Sequence, residues 1–88
     1  MIQQNRYHIH FKGRRTTITV DSIISELLAV KLEMLPDAPE AHAQVRDWLE
    51  VTLHDKDKLG ENVPGGSRIS QYARVYAIEA LADPQPLG

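Results

Sequence analysis

The stretch Gly13–Leu35, GRRTTITVDSIISELLAVKLEML, decides the fold. Thr16, Ile18 and Val20 fall on one side of its first half, and Arg15, Thr17 and Thr19 on the other. Period two with β-branched residues is the pattern of a half-buried strand. At Asp21 or Ser22, either of which suits a helix N-cap, the period changes. Ser22, Ser25, Glu26, Ala29 and Glu33 then form one narrow polar or small stripe at helical spacing. Most of the remainder is apolar: Ile23, Ile24, Leu27, Leu28, Val30, Leu32, Met34 and Leu35. A helix apolar over most of its circumference is central to a core or covered by a partner, so the pattern predicts a helix over about 22–35 and a homodimer through it.

Upstream, Tyr7, Ile9 and Phe11 alternate with Arg6, His8, His10 and Lys12, which predicts a second strand over about 6–11 paired with 15–20. Lys12-Gly13-Arg14-Arg15 is the turn, with a loop of two or four residues. Either length leaves the faces unchanged, because the two registers differ by an even step. The polar rows of both strands then share one face: Arg6, His8, His10, Lys12, Arg15, Thr17 and Thr19, with no carboxylate among them. Arg14 adds charge at the turn.

Downstream, Pro36 stops the first helix. Asp37-Ala38-Pro39-Glu40 resembles a capping box with proline in the first turn, predicting a helix over about 38–54. It carries Ala41, Val45, Trp48, Leu49, Thr52 and Leu53 inward. His54–Gly66, HDKDKLGENVPGG, reads as a loop. Ser67 is a further N-cap, and Ile69, Tyr72, Ala73, Tyr76, Ala77, Ala80 and Leu81 predict a last helix over about 67–82 that Asp83-Pro84 ends. The expectation is a single α+β domain over 1–88, an N-terminal β-hairpin followed by three α-helices, dimeric.

The 88 residues carry a net charge of −2, but the charge is segregated. Residues 1–20 hold four Lys/Arg and no acid, residues 21–64 hold four Lys/Arg against ten Asp/Glu, and the remainder balances. Partners respond to local patches rather than totals. There is no cysteine, hence no disulfide framework and no thiolate metal site. No run approaches about 18 apolar residues and no signal-peptide pattern opens the chain, so a cytoplasmic protein without a membrane span is expected.

No catalytic constellation is evident, and no enzyme, cofactor or metal site is expected. His8 and His10 share a face as metal ligands can, but Arg and Lys beside them repel a cation. Asp55-x-Asp57 is followed by Lys58-Leu59-Gly60, which breaks the order of a calcium loop. Pro64-Gly65-Gly66-Ser67 lacks the lysine of a phosphate-binding loop. His42 and His54 read as surface residues, and Trp48 as a core anchor. The basic strand face is the strongest functional signal. A two-stranded ribbon fits the major groove, Arg pairs with guanine, and Thr donates, accepts or touches the thymine methyl. Tyr7 and Phe11 sit on the opposite face, so no stacking platform for single-stranded RNA is evident.

Arg15-x-Thr17-x-Thr19-Val20, leading into 21–35, and Gly66-Ser67-Arg68-Ile69-Ser70-Gln71 followed by Arg74, together resemble the ribbon-helix-helix family of the Arc, MetJ and CopG repressors. The resemblance implies a dimeric duplex-DNA-binding transcriptional regulator, with Arg15, Thr17 and Thr19 reading bases and Ser67 and Arg68 contacting phosphate. The chain departs from the family in two ways: about thirty residues separate the matching segments, and a strand precedes the first. It is also similar to small proteins of bacterial plasmids and integrative elements. The expected interface is therefore Arg6, His8, His10, Lys12, Arg14, Arg15, Thr17, Thr19, Ser67 and Arg68. The alternative is a protein-interaction module, antitoxin-like or an inhibitory adaptor, using the acidic second helix and the 54–66 loop.

Overall fold

Lys12 and Gly13 both take positive φ, 52° and 77°, the backbone of a two-residue type I′ turn, whose twist matches that of the strands it joins. The turn fixes the register of β1 (Gln4–Phe11) against β2 (Arg14–Asp21). The strands are antiparallel, with Phe11 opposite Arg14, Ile9 opposite Thr16 and Tyr7 opposite Ile18. The computed structural model describes residues 3–56 and 66–87, without the side chains of 66 and 67. After the hairpin come α1 (Ser22–Lys31), α2 (Ala41–Asp55) and α3 (Gly66–Ala82). The architecture is the α+β arrangement expected, a hairpin and then three helices.

All three helices pack on one side of the hairpin, α2 chiefly along β1 and α3 chiefly along β2, with α1 touching both other helices. The inner face contributes Tyr7, Ile9, Phe11, Ile18 and Val20 to the core. Against them lie Ile24, Leu28 and Ala29 of α1, Ala41, Val45, Leu49 and Leu53 of α2, and Ile69, Ala73 and Ala77 of α3. Trp48, Tyr72, Tyr76 and Leu81 are partly buried around this cluster.

Three local expectations are corrected. First, α1 ends at Lys31 rather than near Leu35. The Glu33 N–H donates to Val30 O and the Met34 N–H to Ala29 O, both at 2.9 Å, with Glu33 at φ 65°. This is a Schellman stop with glutamate where glycine is usual, and it acts before Pro36. Second, the capping box does not form. The residue before a proline is driven out of the α region, so Ala38 cannot begin a helix; α2 starts at Ala41 behind Glu40, with no side-chain cap. Third, the stripe on α1 is split: Glu26 and Glu33 are exposed as the pattern implies, but its small residues turn inward. Ser25 and Ala29 are buried, whereas Ile23 (58% exposed), Leu27 (47%) and Val30 (57%) face outward. Small side chains let α1 approach the start of β1 and of α2, and the bulkier residues are left outside.

Asp21 occupies the N-cap position of α1 but makes no capping hydrogen bond; its carboxylate pairs with Arg74 at 3.3 Å. Ser22 donates to Asn5 at 3.0 Å instead. The Lys31 ammonium ends on the carbonyls of Ala80 and Asp83, tying the end of α1 to the last turn of α3, where carbonyls lack helical partners.

Two substitutions test the positive-φ positions. Gly13→Ala is expected to destabilise by about 1 kcal/mol although a methyl there meets nothing within 4 Å, because the penalty is purely conformational. Glu33→Gly is expected to stabilise by about 1 kcal/mol by relieving the same strain. Urea unfolding with an unchanged m-value measures both; equal stabilities for all three proteins would contradict this backbone account.

Candidate nucleic-acid interface

A two-residue turn that closes on Phe11 and Arg14 makes that pair, and every second pair after it, the hydrogen-bonded ones. The remaining pairs are His10 with Arg15, His8 with Thr17, Arg6 with Thr19 and, at the open end of the ribbon, Gln4 with Asp21. Their side chains stand on the outer face, where non-hydrogen-bonded partners approach closest. Their backbone N–H and C=O groups point sideways, at the two free edges of the ribbon. These residues thus present the polar face and carry the backbone groups that an uncovered edge would leave unpaired.

Both edges are met by helix side chains. On the β1 side, the His10 N–H donates to Glu50 Oε2 at 3.2 Å, and His54 Nε2 lies 3.0 Å from the His10 carbonyl. The tautomer with hydrogen on Nε2 makes the latter a hydrogen bond. The His54 ring also lies against Phe11, centroids 5.5 Å apart. On the β2 side, the Thr19 N–H donates to Ser70 Oγ at 3.0 Å. Glu50, His54 and Ser70 lie outside the predicted interface, yet they hold the ribbon from which it is built. Their partners are 40 to 51 residues away in sequence, so no local pattern signals them.

Arg6, His8, His10, Arg15 and Thr17 are exposed on the outer face, and Thr19 is half-buried beside them. His8 Nδ1 and Thr17 Oγ1 are 3.0 Å apart across the pair. Lys12 and Arg14 are placed differently. Lys12 belongs to the turn, with its ammonium 5.9 Å from the centre of the Phe11 ring. Arg14 lies opposite Phe11 in register and is exposed at the tip. Together they make the tip of the hairpin basic. Arg68 is exposed on α3, close in sequence to Ser70; the side chain of Ser67 and residues 57–65 of the predicted loop lie outside the described residues.

Two carboxylates border this face. Asp21 shares its side at the base of β2 and is neutralised by Arg74. Glu50 stands at the β1 edge, engaged by the His10 N–H. Among the described residues, no group of three or more His, Asp or Glu side chains is placed to hold a metal, and no helix is long and apolar enough to cross a membrane. What the face offers chemically is guanidinium, imidazole and hydroxyl groups at strand spacing, suited to phosphate and polar base edges. Comparison with protein-family models, with curated proteins and with solved structures found no match to this chain.

Amide hydrogen exchange tests the edge contacts. Ser70→Ala is expected to raise exchange at Thr19, and Glu50→Ala at His10, each with little change at Tyr7 and Ile18, whose amides face the partner strand. A uniform rise over both strands, or none at the edge, would refute the assignment.

Proposed function

We propose that the protein binds duplex DNA through the outer face and basic tip of the hairpin, as a small accessory factor or transcriptional regulator. One observation carries this reading: Arg6, His8, His10 and Arg15 stand side by side with Thr17 and Thr19 on the face turned away from the helices, while Lys12 and Arg14 extend the charge to the tip. Cationic side chains on a rigid ribbon contact phosphate without ordering a flexible segment, and Arg and Thr at alternate positions reach base edges. The absence of Phe, Tyr and Trp from that face favours a duplex over a single strand.

The resemblance to ribbon-helix-helix proteins supports the choice of residues. Where that family pairs two strands across protomers, β2 here pairs with β1 of its own chain, and Ser70 meets its other edge. The reading therefore rests on a ribbon complete within one chain, with Arg15, Thr17 and Thr19 as base readers and Arg6, Lys12, Arg14 and Arg68 toward phosphate.

The outward face of α1 supports a homodimer. Ile23, Leu27 and Val30 recur at helical spacing and are each about half exposed, an apolar stripe that a second copy would cover. Leu27→Glu is expected to convert a dimer to a monomer in sedimentation velocity; identical sedimentation of the two proteins would remove this proposal. The alternative, a protein-interaction module, draws on the acidic surface of α2, where Asp47 and Asp55 are exposed.

Fluorescence anisotropy with a labelled duplex tests the DNA reading. Contacts to four phosphates give a slope of log affinity against log salt of about −3 to −4. Arg15→Ala is expected to weaken binding about tenfold and make that slope shallower by about 1, whereas Arg46→Ala, whose guanidinium is paired with Asp47, leaves both unchanged. Binding that ignores both salt and Arg15 would rule the proposal out.

A further inference from the structure

The geometry points to a second binding site, separate from the hairpin's outer face: a pocket for a primary alkylammonium group between α1, the start of α2 and the start of β1. The cavity is about 140 Å³, room for several waters. Its polar lining is Asn5, Tyr7, Ser25, Glu26 and His42.

Ser25 is the observation that calls for an occupant. It is 4% exposed, and its hydroxyl has no hydrogen-bond partner among the described residues, a rare condition for a buried polar group. Tyr7, 1% exposed, has only a long 3.5 Å contact from Asn5 at its hydroxyl, leaving acceptor capacity there as well. His42 stacks on the Tyr7 ring, centroids 4.5 Å apart, and forms one side of the opening.

Charge selects the class of ligand. Glu26 is the acidic side chain among the described lining residues; it is exposed and makes no ion pair with any described residue. No Lys or Arg is among the described lining residues, so an anion finds no lysine or arginine counter-charge there. The uncapped start of α2 opposes a cation with about half a positive charge, but full carboxylates at Glu26 and at Glu40, its N-cap residue, outweigh it. An ammonium has three donors and no acceptor, complementary to the oxygens of Ser25, Tyr7 and Glu26. Ala29, Pro36, Ala38 and Ala41 complete the wall and suit a methylene stem, as apolar surface commonly does for lysine.

Such a group comes either from a lysine side chain of a partner protein or from a free amine. The test is a ¹H–¹⁵N titration of the full chain with n-butylammonium chloride, against n-butanol and matched sodium chloride. Saturable shifts are expected at Asn5, Ser25, Ala29 and His42 with butylammonium alone. Glu26→Gln and Ser25→Ala are each expected to weaken them at least about tenfold, with duplex binding unchanged. Glu26 is exposed, so its substitution carries the test even if Ser25→Ala does not fold. An acetyl-Gly-Lys-Gly-amide peptide that binds more tightly than butylammonium assigns the pocket to a partner's lysine; one that binds no better assigns it to a free amine. No saturable shift with either amine, equal affinity in Glu26→Gln, or equal binding of n-butanol overturns the proposal.

Discussion

An isolated two-stranded hairpin is marginally stable in water, and everything in this chain is arranged around how its one ribbon is held. The inner face is buried by three helices. The edges are held by single side chains, Glu50 and His54 on β1 and Ser70 on β2. These contacts fall on His10 and Thr19, whose side chains belong to the outer face. Fixing their backbone groups orients the polar row without placing any described residue over it. The helices thus supply the core and the edge partners, and the ribbon's second face remains available for a partner.

Much of the fold is legible because the strand signal is strong. Tyr7, Ile9 and Phe11 alternate with basic and imidazole side chains, and Ile18 and Val20 with threonine, so the division between faces survives any uncertainty in turn length. The helix pattern is weaker evidence. On α1 apolar residues recur all round, and hydrophobicity alone cannot say which part faces in. Packing distance decides it: Ser25 and Ala29 are small enough for close approach, so they are inside, and Leu27 is outside. Helix ends depend on backbone states that composition signals poorly. Glu33 and Lys12 adopt positive φ without being glycine or asparagine, and Pro39 acts on the residue before it rather than opening a helix.

The candidate site divides in the same way. Its outward row was readable from alternation. The structure separates Lys12 from that row, since it is a turn residue, and makes Arg14, expected in the turn, the first residue of β2, in register with the core face. The edge partners and the Arg74 neutralising Asp21 were not readable, because they join elements far apart in sequence. A chain of net −2 concentrates basic groups on the hairpin, and its α1–α2 corner has an acidic opening over an unpartnered hydroxyl. The two surfaces suit partners of opposite charge.

We propose that the working surface is the ribbon face turned away from the helices. Mapping amide chemical shifts of the labelled chain during titration with a short duplex tests it most directly. The account predicts perturbation concentrated at Arg6, His8, His10, Arg15, Thr17 and Thr19 and along the tip, with Ile23, Leu27 and Val30 of α1 unmoved. Perturbation centred on α1 or α2, with the outer ribbon face silent, would contradict it.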